Sequence, residues 1–129
     1  MSNGTPGKIL IIDDDPDIQD IYNEVLKQAG YIVDHADDGT KGLGKIIEGG
    51  YDLILLDIML PKIDGMNILK KVHNSPPSSY NGPIIVLSQI DQQDIINNAL
   101  QLGAKGYIVK SSITPDQLID RVSQILQTK

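Results

Sequence analysis

The chain contains no cysteine, no phenylalanine and no tryptophan. Without cysteine there is no disulfide framework and no thiolate metal site. Without the two bulkiest apolar rings, the core must be built from Ile, Leu, Val and Ala, with five tyrosines to help. No apolar run approaches the ~18 residues of a membrane span, and no basic-plus-apolar signal opens the chain. The expected location is therefore cytoplasmic. Basic residues are scarce as well. Eleven stand against 17 acids, for a net charge of −6, which argues against non-specific binding to nucleic acid. At 129 residues the chain is long enough for one domain with a real core.

What the chain does have is aspartate at the ends of apolar runs. Lys8-Ile9-Leu10-Ile11-Ile12 leads into Asp13-Asp14-Asp15, and Leu53-Ile54-Leu55-Leu56 leads into Asp57. Aliphatic runs of this length read as strands buried on both faces, as in a parallel sheet. A carboxylate at the end of such a strand belongs in the crevice outside the sheet, where open α/β sheets bind ligands. Asp13, Asp14 and Asp57 are therefore expected to converge. Converging carboxylates repel one another, so the site should take a hard cation such as Mg²⁺.

The rest of the chain alternates in the same way. Residues 1–7 show no periodicity and are expected to be a disordered lead-in, leaving one domain over 8–127. Pro16 opens a helix whose apolar positions are Ile18, Ile21, Tyr22, Val25, Leu26 and Ala29, and Gly30 stops it. A strand is expected at about 32–36 and a helix at about 39–48, the latter weakened by Gly42 and Gly44. The strand ending in Asp57 is followed by a loop with Pro61 and Asp64-Gly65, then a third helix carrying Met66, Ile68, Leu69 and Val72. Later come a strand at 83–88, a helix at about 92–102 and a strand at 106–109 with Lys110 behind it. Thr114-Pro115-Asp116-Gln117 is a capping-box signature opening the last helix. Five βα units in strict alternation imply a parallel sheet with helices on both faces.

Five polar positions thus fall at strand ends: Asp13, Asp14, Asp57, Ser88 and Lys110. An acidic wall facing one lysine and one hydroxyl can hold Mg²⁺ and a phosphoryl group together. The cation offsets the carboxylates, while Lys and Ser contact the remaining phosphoryl oxygens.

In Ile11-Ile12-Asp13-Asp14-Asp15-Pro16, Leu55-Leu56-Asp57-Ile58-Met59-Leu60-Pro61 with Asp64-Gly65, Ile85-Val86-Leu87-Ser88, and Gly103-Ala104-Lys105-Gly106-Tyr107-Ile108-Val109-Lys110, the chain resembles the receiver domain of two-component response regulators, chemotaxis regulators among them. The resemblance runs from about residue 8 to about 126. It implies a flavodoxin-like (βα)5 three-layer sandwich with sheet order 2-1-3-4-5. It also implies that Asp57 accepts a phosphoryl group from a histidine kinase or a histidine phosphotransfer domain. By the same resemblance, Asp14, Asp57 and the backbone carbonyl of Met59 are Mg²⁺ ligands, and Asp13 is the second acid. Ser88 and Tyr107 are the switch pair, and Lys110 pairs with the phosphate. The protein is then a signalling phosphoacceptor, catalysing only its own phosphorylation and dephosphorylation. Its switched face would be that of helix four, strand five and helix five, used to contact a downstream protein.

Other polar residues carry less. Asp15 and Asp17 read as helix N-terminal residues. His35 and His73 stand alone and read as surface groups. Gly39-Thr40-Lys41-Gly42 lacks the spacing of a phosphate loop and reads as a helix start. Two departures from the family pattern stand out. Ser111 follows Lys110 where proline, often in a cis bond, is usual. Gln89 follows Ser88 where a small residue is usual. By the same resemblance, Met59 and Ile90 are expected to flank the phosphoryl site as an apolar rim, at positions that are polar in many receivers. Two rival functions are disfavoured. A non-phosphorylated module of the same fold typically lacks one of the five site residues, and a phosphohydrolase resembling the haloacid dehalogenases needs an acid where Met59 stands. With the chain ending just after helix five, the expectation is a stand-alone regulator or a receiver cut from a longer protein. It should be a monomer or weak dimer with no direct nucleic-acid contact. Helix four has no basic residue, and Gly106 replaces an acid used in charge-bridged dimers.

Overall fold

The two aspartate-terminated aliphatic runs lie side by side at the centre of the sheet. In the computed structural model, which describes residues 7–89 and 93–127, β1 (Lys8–Ile12) pairs in parallel with β3 (Leu53–Asp57), Ile12 opposite Leu56. Ile9 to Ile12 and Leu53 to Leu56 are all 0 % exposed, because both strands are covered on both faces. Residues 1–6 of the expected lead-in lie outside the described residues. Gly7 accepts a hydrogen bond from the Ile32 N–H (2.9 Å).

The remaining elements are α1 (Pro16–Gln28), β2 (Ile32–Ala36), α2 (Gly39–Glu48), α3 (Gly65–Asn74), β4 (Ile84–Ser88), α4 (Gln93–Gln101), β5 (Gly106–Val109) and α5 (Pro115–Gln127), with a 3₁₀ turn over Lys110–Ser112. The strand order is β2-β1-β3-β4-β5, all neighbours parallel, which is the flavodoxin-like arrangement. Gln92, expected to begin the fourth helix, lies outside the described residues. Side-chain alternation along each strand divides the core into two layers. Leu10, Ile12, Ile54, Leu56 and Val86 face α2, α3 and α4. Ile9, Ile11, Leu53, Leu55, Leu87 and Ile108 face α1 and α5.

Caps fix where the helices begin. Asp15, Asp38 and Asp64 each accept a backbone N–H from the first turn of α1, α2 and α3. At α5 the expected capping box is closed in both directions. Thr114 Oγ1 accepts from Gln117 N–H (3.2 Å), and Gln117 Oε1 accepts from Thr114 N–H (2.9 Å).

One expectation needs correcting. Ile21 was placed on the inward stripe of α1, but it is 47 % exposed. The buried residues of α1 are Gln19, Tyr22 and Leu26. The helix is rotated so that a glutamine occupies the inward position nearest the strand ends. Both its N–H groups find backbone acceptors, while its Oε1 is buried with no hydrogen-bond partner among the described residues.

Candidate functional site

Every strand except β2 delivers one of the expected residues to the carboxyl edge of the sheet. Asp13 follows β1, Asp57 ends β3, Ser88 ends β4 and Lys110 follows β5. Asp13 is 0 % exposed and Asp57 3 %, while Asp14 is exposed. Carboxylate oxygens of Asp13, Asp14 and Asp57 lie within 4.8 Å of one another. At that distance, and at an effective dielectric of about 20, each pair of charges repels by about 3 kcal/mol.

Lys110 offsets part of that repulsion. Its Nζ is 3.0 Å from Asp13 Oδ2 and 3.3 Å from Asp57 Oδ2. Burial alone would push the ammonium down, but Asp13 and Asp57 outweigh it and hold the lysine above its ordinary value. Asp57 goes the other way. Burial, and then the charge of Asp13, push it up to about 6, against the pull of Lys110 and of the Met59 N–H. That N–H donates to Asp57 Oδ1 at 3.2 Å. A carboxylate so strained by desolvation and like charge is one that a cation would relieve.

The donor set fits a hard cation: three carboxylate oxygens, no nitrogen, no sulfur. Direct ligands of Mg²⁺ sit about 2.0–2.1 Å from the ion, so any two lie at most about 4.2 Å apart. The observed spread asks only for a small contraction or for one acid to bind through water.

The loop from Ile58 to Asp64 forms the third wall, and two glycines set its position. Gly65 donates to the Ile58 carbonyl (2.8 Å), and a Cβ there would fall 2.3 Å from the Asp57 carbonyl oxygen. Gly39 donates to the Pro61 carbonyl (3.2 Å), and a Cβ there would overlap the Ile63 carbonyl. Lys62 takes φ +70° and pairs with Asp38 at 3.7 Å. Only the Asp64-Gly65 pair was legible in the sequence, as part of a motif; Gly39 was read as no more than a helix start.

Ser88 is 7 % exposed and stands opposite Val109 in the β4–β5 register, while Val86 stands opposite Tyr107. Alternation puts Ser88 on the same face as Val86, and Tyr107 packs against the cluster on that face. Ser88 and Tyr107 are thus one row apart on the α4 side of the sheet. The Tyr107 carbonyl accepts from Arg121 Nη2 of α5 (3.0 Å). The two departures flanking the site meet: Ser111 Oγ donates to the Gln89 carbonyl (3.2 Å), joining the loops after β4 and β5. No described peptide bond is cis, so the bond between Lys110 and Ser111 is trans. Met59 is 70 % exposed beside the site, and Ile90, the other half of the expected apolar rim, lies outside the described residues.

The residue that sequence reasoning missed is Gln19. Its Nε2 donates to the carbonyls of Asp13 (2.6 Å) and Ala36 (2.9 Å). The only sequence signal was a polar side chain three and seven positions before Tyr22 and Leu26, a helical spacing that could have put it on the buried face.

Residues 9–123 match the family described as the response regulator receiver domain. The chemotaxis protein CheY of Treponema pallidum (strain Nichols) is 31 % identical over 128 residues, covering 97 % of this chain and 86 % of that protein. The transcriptional regulatory protein DltR of Streptococcus agalactiae serotype III is 40 % identical over 115 residues, covering 89 % of this chain and 50 % of that protein. The chain thus spans most of one relative and half of the other. The crystal structure of a CheY-like receiver domain protein from Methanospirillum hungatei JF-1 superimposes with a TM-score of 0.84 at 31 % identity, over 96 % of each chain.

Proposed function

Because this chain belongs to the family of response regulator receiver domains of two-component signalling, we propose that Asp57 is its phosphoacceptor. The observation that carries this is the strained carboxylate itself, buried between Asp13, Lys110 and the Met59 N–H at the end of a central strand. In the proposed reaction an Asp57 oxygen attacks phosphorus. The P–N bond to a donor histidine, on a histidine kinase or a phosphotransfer domain, breaks, and the imidazole departs with its electron pair. The reaction needs positioning and charge neutralisation rather than a strong nucleophile. Mg²⁺, held by Asp13, Asp14, Asp57 and the Met59 carbonyl, supplies part of that neutralisation when bound.

Lys110 does the rest. In the resting protein it is shared by two carboxylates. A phosphoryl dianion on Asp57 competes for it and also recruits the Ser88 hydroxyl. Movement of Ser88 toward the phosphoryl group frees space on the α4 face one row from Tyr107, so the face of α4, β5 and α5 is the proposed output. A groove of about 520 Å³ between β5 and α5, with Tyr107, Ile113 and Arg121 in its lining, lies on that face. The proposed partner there is a protein, in keeping with the net charge of −6. The domain acts as a signalling acceptor, working in the cytoplasm beside its kinase, as a monomer or weak dimer.

Incubation with acetyl phosphate and Mg²⁺, followed by intact mass measurement, tests the assignment. One added phosphoryl group is expected, absent in Asp57→Asn. Uptake that persists in that variant rejects Asp57 as the acceptor.

A further inference from the structure

Gln19 is 8 % exposed, and both its amide N–H groups are used on carbonyls at the ends of β1 and β2. The Ala36 carbonyl also accepts the Asp13 N–H (3.1 Å), so one side chain and one peptide lock the two strand ends together. The Asp13 carbonyl belongs to the peptide that joins Asp13 to Asp14. The two acids on either side of it are held differently. The Asp13 carboxylate is fixed by Lys110 and by the Asp15 N–H (3.0 Å). The Asp14 carboxylate is exposed, and among the described residues no hydrogen bond or ion pair holds it. The backbone fixes where the Asp14 Cα–Cβ bond starts and points, and the peptide leading into that residue is the one Gln19 grips at 2.6 Å.

We propose that Gln19 is a positioning residue of the cation site, pinning the peptide between Asp13 and Asp14 so that the Asp14 carboxylate stays with those of Asp13 and Asp57. The inference rests on the reading that this acid cluster binds Mg²⁺. The grip extends to the opposite wall as well. Residues 37 and 38 follow Ala36 directly, and the next residue, Gly39, donates to the Pro61 carbonyl in the loop that carries Met59. Loss of the Gln19 amide should loosen both walls while leaving the Lys110 pairs in place.

The test is Mg²⁺ titration by calorimetry of the full chain, with the Asp14 amide resonance followed by NMR. Gln19→Met keeps the length and removes both donors. Its Mg²⁺ dissociation constant is expected to rise about tenfold, the usual cost of losing a group that orients a metal ligand, with a shifted Asp14 amide before metal is added. Val122→Ala, a fully buried α5 position, controls for stability loss and should leave the constant unchanged. If Gln19→Met does not fold, Gln19→Asn, whose amide falls one methylene short, carries the same expectation. A parent that binds Mg²⁺ and a variant that binds it equally well overturns this inference alone. Equal weakening in Val122→Ala does the same. A parent that binds no Mg²⁺ overturns the cation site and the inference together.

Discussion

Lys110 Nζ lies 3.0 Å from Asp13 Oδ2, an ion pair that joins residues 97 positions apart and leaves 6 % and 0 % of the two side chains exposed. It ties the end of β5 to the end of β1 across the ends of β3 and β4. Removing one partner of a buried pair leaves uncompensated charge, at a cost of about 3–5 kcal/mol. Lys110→Met is accordingly expected to lose about 3 kcal/mol of metal-free stability at neutral pH, read from urea unfolding. A loss below about 1 kcal/mol would show that the acids do not depend on this lysine.

Asp57 makes the metal-free fold sensitive to mild acid. Its pKa is raised from 3.8 to about 6 in the folded state, by burial first and the Asp13 charge second. The folded protein therefore binds this proton more tightly than the unfolded chain. The stabilising contribution is full below about 4 and is lost as pH rises through about 6, so it reappears on acidification from 7 to 4.5. Asp34 and Asp38 are shifted downward and act only below that window. The stability difference between parent and Asp57→Asn, measured without metal, should shift in the parent's favour by on the order of 2 kcal/mol over that range. A flat difference would mean that Asp57 titrates as an ordinary carboxylate.

Asp14 is the exposed member of the cluster, so its neutralisation carries little desolvation penalty and relieves repulsion of about 3 kcal/mol per pair before screening. Asp14→Asn is expected to melt higher than the parent in EDTA and to lose most of the parent's rise in Tm on adding Mg²⁺. A variant that melts lower than the parent in EDTA contradicts a strained acid cluster.

Buried β1 and β3 were plain in the sequence because unbroken Ile and Leu runs have only one comfortable place in an α/β fold. The acids were plain because a charge ending such a run has no structural reason to be there. Gln19 was hidden because periodicity weighs apolar residues. Ile21 fitted the stripe of α1, and the rotation that exposes it is set by the amide's two backbone acceptors, which belong to other strands. Gly42 was misjudged for the same reason: in one dimension it looks equivalent to Gly44.

The structure separates them. A Cβ on Gly42 would meet Ile12 Cγ2 at 2.7 Å, whereas nothing lies within 4 Å of a Cβ on Gly44. Gly44→Ala is expected to stabilise the protein by about 0.5–1 kcal/mol, the usual helix-interior gain. Gly42→Ala should cost about 1–3 kcal/mol, because α2 must retreat from the sheet. Both are read from urea midpoints, and equal effects would show that α2 does not press on Ile12.

Met59 bears on how long an acyl phosphate at Asp57 would survive. It lies two residues beyond Asp57, its N–H is bonded to the Asp57 carboxylate, and its side chain is 70 % exposed at the rim. Hydrolysis needs a water aligned with phosphorus on the side opposite the Asp57 oxygen. A thioether neither orients such a water nor takes its proton, whereas an amide can do the first. Replacing Met59 also leaves its backbone N–H in place, so phosphorylation itself should proceed. Met59→Asn is expected to take up phosphate from acetyl phosphate as the parent does and to lose it several-fold faster once the donor is removed. Decay at the parental rate would leave Met59 as an apolar contact for a docking partner, with no part in timing the signal.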